Sequence, residues 1–437
     1  MQRIPPQSEE AEKFVLGTCL IDGAALDLAM DKLNEEDFYS RKHQKLFTVM
    51  KDMTVTGRQV DVVTIQSVLD EKGLREELFT LILDLSENVS ALSSIENYCN
   101  IILDKSITRK LLTVSREIAD ECFKSENILE LIELAENKVL KAAERRNTTE
   151  VKTANDIMVE TNKEIERVTA GGRIGITTGF QQLDDIVGGY EKGQFIVLAG
   201  RTSMGKSACC LSMIANQTLV HQIPTALFSL EMPAVSLGQR LLSIESGVKL
   251  WNIRKAYIKG EDNILINEKI SKIAGAPLYL DDNSGLTISR LRSTLRRMIN
   301  KYGVQQAYID HLHLMNYEGN DPTHGTSMIS KGLQQTARDF NIPIIGLSQL
   351  NRADKKTKNY RPVLGDLRQS GSIEQDSALV IFVHREYYYT KKDEDKGWAE
   401  IIVEKQRNGP LQSLKMGWKW ECAKFYELED QKEQENW

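Results

Sequence analysis

Eight residues, Gly200 to Ser207, constrain the fold of this chain more than any other feature. They read Gly-Arg-Thr-Ser-Met-Gly-Lys-Ser, the pattern G-x4-G-K-S, and stand between an apolar run at 195–199 and a helical segment at 208–215. Glycines allow backbone N–H groups to surround a phosphate, and the N-terminus of the following helix adds positive potential. A strand, this loop and a helix in that order predict a nucleotide-phosphate site.

The loop offers specific groups to a bound nucleotide. Lys206 can reach the β- and γ-phosphate oxygens, and the hydroxyl of Ser207 can ligate Mg²⁺. A chance match to the pattern is the alternative, which the flanking strand and helix disfavour. We therefore expect a nucleoside triphosphate and Mg²⁺ as cofactors; the nucleotide is taken to be ATP on the resemblance described below. The expected nucleotide-binding residues are Gly200, Arg201, Thr202, Ser203, Met204, Gly205, Lys206 and Ser207.

Three further polar residues close apolar runs that read as strands. Asp310 follows the run at 307–309, Glu231 the run at 226–230, and Gln349 the run at 344–348. Open α/β sheets bind ligands at the carboxyl ends of their strands. We therefore expect Asp310 to be the second Mg²⁺ ligand, Glu231 to be a base or water-orienting group, and Gln349 to sense the γ-phosphate. The alternatives are a cap after Asp310, N-cap support from Glu231 for the next helix, and a structural hydrogen bond at Gln349.

Two histidines follow Asp310 closely. His311 and His313 would lie on one face if this stretch were extended. Because no further Cys or His is nearby in sequence, we favour polar lining of the site over a metal-binding pair. Cys209 and Cys210, on the helix behind the phosphate loop, are expected to pack.

The character of the sequence changes near residue 147. Before it, apolar residues recur at helical spacing, and 101–143 contains no Pro or Gly. Beyond 176, short β-rich runs alternate with helical patterns, which predicts a mostly parallel sheet covered by helices. The six expected strand runs are 195–199, 225–229, 307–309, 342–347, 379–383 and 400–403. The predicted divisions are an all-α N-terminal domain at 1–103, a helical hairpin at 104–147 with its turn at 124–127, a linker at 148–175 with a helix at about 154–169, and an α/β domain at 176–437.

Charge is distributed unevenly along the chain. The whole chain has a net charge of −6, whereas residues 1–150 carry −9 and residues 151–425 carry +7. The overall acidity therefore does not exclude a nucleic-acid partner, although ordinary surface variation is the alternative explanation.

Composition argues against several classes of protein. No apolar run approaches the ~18–20 residues of a membrane helix, and the first residues lack the apolar core of a signal peptide. The six cysteines form no C-x-x-C pair, which argues against a disulfide framework or a zinc module. A reduced, cytoplasmic protein without a membrane partner is expected.

These residues are embedded in a longer series of motifs. The chain resembles the DnaB-type replicative DNA helicases of bacteria and phages, which are RecA-like hexameric ATPases. The resemblance covers nearly the whole chain. The motifs, in the family's order, are PPQ (5–7), EAE (10–12), VLG (15–17), EDFY (36–39), VDVVT (60–64), TGF (178–180), GG (188–189), SMGKS (203–207), SLEM (229–232), SQLNR (348–352), DLRQSGSIEQD (366–376) and KQRNGP (405–410).

The resemblance implies a RecA-like fold for the α/β domain and a set of catalytic residues. Lys206 and Ser207 would hold phosphate and Mg²⁺, and Asp310 would hold the metal. Lys405 and Arg407 resemble the finger pair that reaches the ATP of a neighbouring subunit, and alternation in a strand would direct both to one face. Without the family, this pair reads as a solvated strand edge. The implied catalytic residues are Glu231, Lys206, Gln349, Arg407 and Lys405.

The resemblance also implies that loops in the pore of a ring bind single-stranded DNA. A loop at 368–371 would touch the DNA backbone, with Gly371 offering an uncovered N–H to a phosphate. Such contacts do not depend on base sequence. Simple turn chemistry is the alternative for this loop. The implied DNA-binding residues are Arg352, Arg368, Gln369 and Gly371.

The sequence departs from the family in a few positions. The family usually has Glu where Gln369 stands, Tyr and Gln where His311 and His313 stand, and Glu where Met328 stands. None of these positions is a phosphate, metal or finger residue, so the resemblance still implies ATPase activity.

The implied function is a homohexameric ring that couples ATP hydrolysis to 5′–3′ movement on single-stranded DNA and unwinds the duplex at the replication fork. The acidic N-terminal domain and hairpin would form a collar that binds primase and a helicase loader. A strand-exchange recombinase and a non-motor ATP-dependent loader are the alternatives. Glu231 and the Lys405/Arg407 pair argue against the latter, because a scaffold does not need hydrolytic residues. Phage or chromosomal origin, NTP preference and collar symmetry are left open.

Overall fold

We describe the chain from a computed structural model. The structure describes residues 4–87, 95–124, 127–143, 153–317, 319, 321–350 and 360–428. The predicted boundary at 147/148 and the predicted DNA contact Arg352 lie outside these residues. The chain divides into two compact units, Met1–Lys152 and Thr153–Trp437, which are described separately.

The described residues of the first unit are helical. Apolar residues at helical spacing form one core, with Phe38 and Phe47 fully buried. A buried carboxylate–imidazole hydrogen bond lies inside this unit, since Glu12 Oε2 is 2.6 Å from His43 Nδ1 and both side chains are buried. The helices are α1 (Glu9–Cys19), α2 (Gly23–Lys32), α3 (Arg41–Val55), α4 (Val62–Glu71), α5 (Arg75–Glu87), α6 (Ile95–Cys122) and α7 (Ile128–Ala143), with a 3₁₀ turn at Glu35–Asp37.

Helices α6 and α7 form the predicted hairpin. The first half of α6 buries Cys99 and Ile102 in the core, and the helix then continues without a break past residue 103. Its second half runs beside α7, where Lys138 Nζ lies 2.7 Å from Glu117 Oε2. The absence of Gly and Pro favours such long uninterrupted helices.

Helix α8 (Ala154–Thr169) opens the second unit on the predicted bounds. A capping box begins it: the Thr153 hydroxyl accepts a hydrogen bond from the backbone N–H of Asp156, whose carboxylate accepts one from the N–H of Thr153. None of the residues of α8 is buried within the described chain.

One sheet of nine strands, counted over the described residues, organises the second unit. The strand order is β3-β2-β4-β5-β1-β6-β7-β8-β9; neighbours from β3 to β6 are parallel, and β7, β8 and β9 are added antiparallel. The strands are β1 (Phe195–Gly200), β2 (Thr225–Ser229), β3 (Leu278–Asp281), β4 (Gln306–Asp310), β5 (Ile344–Gln349), β6 (Leu379–His384), β7 (Trp398–Lys405), β8 (Ser413–Lys419) and β9 (Lys424–Glu427).

Helices cover both faces of this sheet. Successive residues of β1 alternate between two cores: Ile196 packs on the side of α10 and α11, and Val197 packs on the side of α14 and α15. The helices are α9 (Gln181–Val187), α10 (Lys206–Ala215), α11 (Ala234–Ser246), α12 (Leu250–Lys255), α13 (Gly260–Ala274), α14 (Ile288–Tyr302), α15 (Pro322–Phe340), α16 (Gly371–Asp376) and α17 (Tyr387–Thr390).

Shorter helical turns complete the unit: a π-helix at Asn216–Val220 and 3₁₀ helices at Leu312–Leu314, Leu364–Ser370 and Asp393–Asp395. The predicted fold class, a helical N-terminal part joined to an α/β part with a mostly parallel sheet, is confirmed. Among the described helices, none is both long and apolar enough to cross a membrane.

Candidate nucleotide site

The phosphate loop joins the central strand β1 to helix α10. Ser203 and Gly205 adopt left-handed backbone conformations, with φ of 67° and 94°, and turns of this kind make concave anion-binding backbone surfaces. A Cβ on Gly205 would lie 3.2 Å from the ring of Phe425. Both the positive φ and this close approach explain why glycine stands at the start of α10.

The ends of four neighbouring strands bring the other predicted groups to the same edge of the sheet. Strands β2, β4, β5 and β1 are adjacent in that order. Gly200 at the end of β1 pairs in register with Gln349 at the end of β5, and Ser229 at the end of β2 pairs with Asp310 at the end of β4. Glu231 follows two residues beyond β2. This edge is where open α/β sheets bind ligands.

Asp310 is a buried carboxylate with an unused oxygen. It is 4% exposed, and its Oδ1 has no hydrogen-bond partner among the described residues. Burial raises its pKa, while an interaction with the Ser207 hydroxyl and the charge of Lys206 act in the opposite direction. The alternative role as a cap finds no support, because no side chain caps the 3₁₀ helix Leu312–Leu314 that follows. A free carboxylate oxygen beside a hydroxyl fits the oxygen ligands that Mg²⁺ prefers.

Lys206 occupies the first position of α10, at the positive end of the helix. Burial lowers the pKa of its ammonium, and the charges of Asp310 and Glu231 raise it. This half-buried cation therefore faces two carboxylates, and a bound phosphate would supply further negative charge, to which an ammonium is attracted.

Glu231 is much more open to solvent than Asp310. Its side chain is 56% exposed, and its Oε2 lies 3.2 Å from His311 Nδ1. The alternative role as N-cap support is not seen, because the first N–H of α11, that of Ala234, donates to Asp282 Oδ2 at 2.8 Å. Glu231 is thus available to a water molecule at the nucleotide edge.

The two histidines do not lie on one extended segment. His311 has an extended backbone, whereas His313 belongs to the 3₁₀ helix Leu312–Leu314, so the alternation of a strand does not relate them; the two ring centroids are 6.1 Å apart. Burial is the main cause that lowers the pKa of both imidazoles. His311 turns toward Glu231 and Asp310, and His313 is not part of that group.

Gln349 and Arg201 tie the phosphate loop to its surroundings. Gln349 Nε2 donates to the Thr202 hydroxyl at 2.8 Å. The Arg201 guanidinium donates to the Tyr360 carbonyl and lies 2.8 Å from Asp366 Oδ2. The pairing of Arg201 with Asp366 was not predicted, because no spacing rule connects residues so distant in sequence.

The structure corrects the geometric argument for Lys405 and Arg407. Strand β7 ends at Lys405, so Arg407 lies two residues beyond it and the alternation of a strand does not relate the two side chains. Lys405 Nζ donates to the carbonyls of Glu374 and Ser377, the latter at 2.8 Å. The Lys405 ammonium therefore caps the C-terminus of α16 by donating hydrogen bonds to its last carbonyls, whereas Arg407 is exposed.

The predicted DNA loop is helical. Arg368 and Gln369 belong to the 3₁₀ helix Leu364–Ser370, and Gly371 is the first residue of α16. The buried side chains of Leu367 and Ile373 hold this segment on the core, which is why it does not form an open loop. The structure describes only the backbone of 368–371, so their contacts stay predictions.

Two sequence families match the chain. The DnaB-like helicase N terminal domain matches residues 4–104, and the DnaB-like helicase C terminal domain matches residues 175–427. The chain is 35% identical over 435 residues to the replicative DNA helicase DnaC of Bacillus subtilis, with 98% of this chain and 96% of the relative covered. It is 36% identical over 446 residues to the replicative DNA helicase DnaB of Pasteurella multocida, with 98% and 95% covered.

Solved structures agree in fold. One, described as a DnaB-like replicative helicase and its interactions with primase, matches with a TM-score of 0.74 and 28% identity over 97% of this chain and all of that chain. Another, described as an ATPase domain, matches with a TM-score of 0.61 and 31% identity, covering 64% of this chain and all of that one. The likeness extends over both units.

Proposed function

Since this chain belongs to the DnaB-like family of replicative DNA helicases and is an ATP-dependent DNA helicase, we propose that it works as a homohexameric ring that moves 5′–3′ along single-stranded DNA. One observation carries the proposal: the phosphate loop, Glu231, Asp310 and Gln349 lie at one edge of adjacent strands. That edge unites the groups needed to bind and hydrolyse a nucleotide.

In this mechanism each group has one task. The loop 200–207 cradles the phosphates, and Lys206 neutralises the β- and γ-phosphate oxygens. Ser207 and Asp310 would hold Mg²⁺, which neutralises phosphate charge when bound. Glu231, open to solvent, polarises the attacking water. Gln349, hydrogen-bonded to the loop, senses the γ-phosphate.

Hydrolysis would be completed by a neighbouring subunit. Arg407 is exposed, beyond the end of β7, and is free to reach an ATP bound to the next copy of the chain. Lys405, held by carbonyls of its own chain, would anchor the segment that carries Arg407. An arginine supplied in this way is worth about 10³–10⁵ in rate, so an isolated subunit should hydrolyse ATP slowly.

DNA would thread the centre of the ring. We propose that Arg352, Arg368, Gln369 and Gly371 contact its phosphates, with no preference for base sequence. Arg201 and Asp366 supply a physical link, because their ion pair joins the phosphate loop to the segment that leads to Arg368.

The first unit would be the protein-binding end. Residues 1–150 carry a net charge of −9, and the solved relative was studied with primase. We propose that residues 1–103 and the hairpin 104–147 form a collar for primase and a helicase loader, that 148–175 link it to the motor, and that 176–437 form the motor.

A forked-duplex unwinding assay tests this function. The wild-type chain should release the displaced strand with ATP and Mg²⁺, and Lys206→Ala should lose ATP hydrolysis and unwinding together. Strand release by Lys206→Ala would reject the ATP-driven mechanism. ATP hydrolysis without strand release would favour a loader, and filaments on DNA in electron micrographs would favour a recombinase.

A further inference from the structure

Three side chains at the nucleotide edge form a group whose composition Mg²⁺ binding does not explain. Asp310 Oδ1 and His311 Nδ1 are buried, and neither has a hydrogen-bond partner among the described residues. His311 Nδ1 is 3.2 Å from Glu231 Oε2, without the alignment of a hydrogen bond. One ligand atom from each of the three residues lies within 4.8 Å of the other two.

We propose that Glu231, Asp310 and His311 bind one divalent transition-metal ion, such as Zn²⁺ or Co²⁺, in the nucleotide-free protein. The ligand set is two carboxylate oxygens and one imidazole nitrogen. Mg²⁺ prefers oxygen ligands only, whereas imidazole suits zinc and cobalt, and the affinity of such a mixed site rises along the series from manganese toward copper. This site therefore differs in chemistry from the pair Ser207 and Asp310.

The distances agree with such an ion. In a tetrahedral site with bonds of about 2.0–2.1 Å, two ligand atoms are separated by roughly 3.3–3.4 Å. The Glu231–His311 distance of 3.2 Å is already close to this value. Three protein ligands leave one position for water, and the exposed Glu231 side chain leaves the site open to entering ions.

An ion at this position would coordinate the carboxylate of Glu231. The next step rests on the proposed function, in which Glu231 polarises the attacking water. A metal-bound Glu231 cannot do so, and the same ion would occupy Asp310, the proposed Mg²⁺ ligand. The site is therefore inhibitory: free Zn²⁺ should lower ATP hydrolysis, and excess Mg²⁺ should oppose this effect.

The test is a direct titration of the full-length, nucleotide-free chain with Co²⁺, followed by its visible absorption and by competition with Zn²⁺. The wild type should bind one equivalent per chain. Removing one ligand with His311→Phe should weaken binding by about tenfold or more. His313→Phe removes a neighbouring imidazole outside the group and should bind as the wild type does.

Two results of this titration would reject the metal site. Equal affinity of His311→Phe and the wild type, or no Co²⁺ bound by the wild type, would overturn the proposal. His311→Tyr provides a second variant if His311→Phe does not fold, as judged by far-ultraviolet circular dichroism. The titration needs neither nucleotide nor DNA, so a failure to unwind DNA would leave its result unchanged. Conversely, a chain that unwinds DNA yet binds no Co²⁺ would reject the metal site alone.

Discussion

The guanidinium of Arg201 lies 2.8 Å from the carboxylate of Asp366. Arg201 belongs to the phosphate loop, and Asp366 belongs to the 3₁₀ helix Leu364–Ser370 that runs into α16. Since the Arg201 side chain is largely buried, the pair is shielded from solvent and fixes the geometry of both segments. The pair therefore links the phosphate loop directly to the segment proposed to contact DNA.

Breaking this pair should uncouple the two sites. We expect Asp366→Asn to retain basal ATP hydrolysis but to lose about 2–30-fold of its stimulation by single-stranded DNA, the range that a coupling energy of ~0.5–2 kcal/mol gives. Steady-state hydrolysis with and without DNA measures this. Glu400→Gln, which removes the ion pair with Arg361 at 2.9 Å, is the control; unchanged stimulation in Asp366→Asn would contradict the coupling.

Glu231 should be needed for hydrolysis and not for binding. We expect Glu231→Gln to slow ATP hydrolysis about 10²–10⁴-fold, the usual contribution of a positioned base, while a fluorescent ATP analogue still binds. Glu421→Gln, which changes a half-buried glutamate of the same unit that pairs with Lys249, should hydrolyse ATP normally. Loss of nucleotide binding in Glu231→Gln would show that the residue has a different role.

Substitution of Lys405 should lower the stability of the chain, whereas substitution of Arg407 should lower ATP hydrolysis. Lys405→Met removes a cation hydrogen-bonded to three carbonyls at the end of α16, those of Glu374, Gln375 and Ser377, and should destabilise the chain by about 1–3 kcal/mol. Arg407→Met should leave stability unchanged and reduce hydrolysis in assembled rings by about 10³–10⁵. Thermal unfolding and ATPase assays on both variants check this. Full hydrolysis by Arg407→Met in intact rings would rule out the finger.

The buried pair of Glu12 and His43 should hold the first unit together. Glu12 also accepts a hydrogen bond from the N–H of Tyr39 at 2.6 Å, so Glu12→Ala leaves polar groups without partners and should cost about 1–3 kcal/mol. Denaturant unfolding followed by circular dichroism measures the loss. Glu77→Ala breaks the exposed pair with Lys45 and should cost only about 0–1 kcal/mol; equal costs would contradict the prediction.

One cysteine should react with thiol reagents. Cys122 is exposed at the end of α6, and the other five cysteines are buried. Burial raises the pKa of the Cys99 thiol to about 12, which leaves little reactive thiolate near neutral pH. We expect one rapidly labelled thiol per native chain and none in Cys122→Ser. Rapid labelling of further cysteines without denaturant would show that the buried sites open.

The sequence predicted the elements whose patterns are local. The six expected apolar runs of the sheet are all strands, and α8 has the predicted bounds, because hydrophobic periodicity and the capping residue Thr153 specify them. Strand β5 begins at Ile344 and not at Ile342, since Pro343 has no N–H to donate to the sheet. Strands β3, β8 and β9 were not anticipated: β3 is only half-buried, and the last two mix polar and apolar residues.

The site was predictable to the extent that strand ends define it. Asp310 and Gln349 end their strands as expected, because parallel strands share one edge. The group formed by Glu231, Asp310 and His311 could not be predicted, since it depends on a 3₁₀ turn that no periodicity specifies. The capping role of Lys405 was missed for the same reason: its acceptors lie on a different element.

Strand β9, the last strand described, bears on the order in which the nucleotide site is assembled. Phe425 of β9 packs against Gly205, and its backbone N–H donates to the Ser212 hydroxyl of α10 at 3.0 Å. A ribosome-bound chain that ends before β9 therefore carries the complete phosphate-binding motif but lacks the aromatic side chain of Phe425 that packs against it. Because chains emerge from the N-terminal end, the phosphate loop gains these two contacts only after β9 has been synthesised and has joined the sheet.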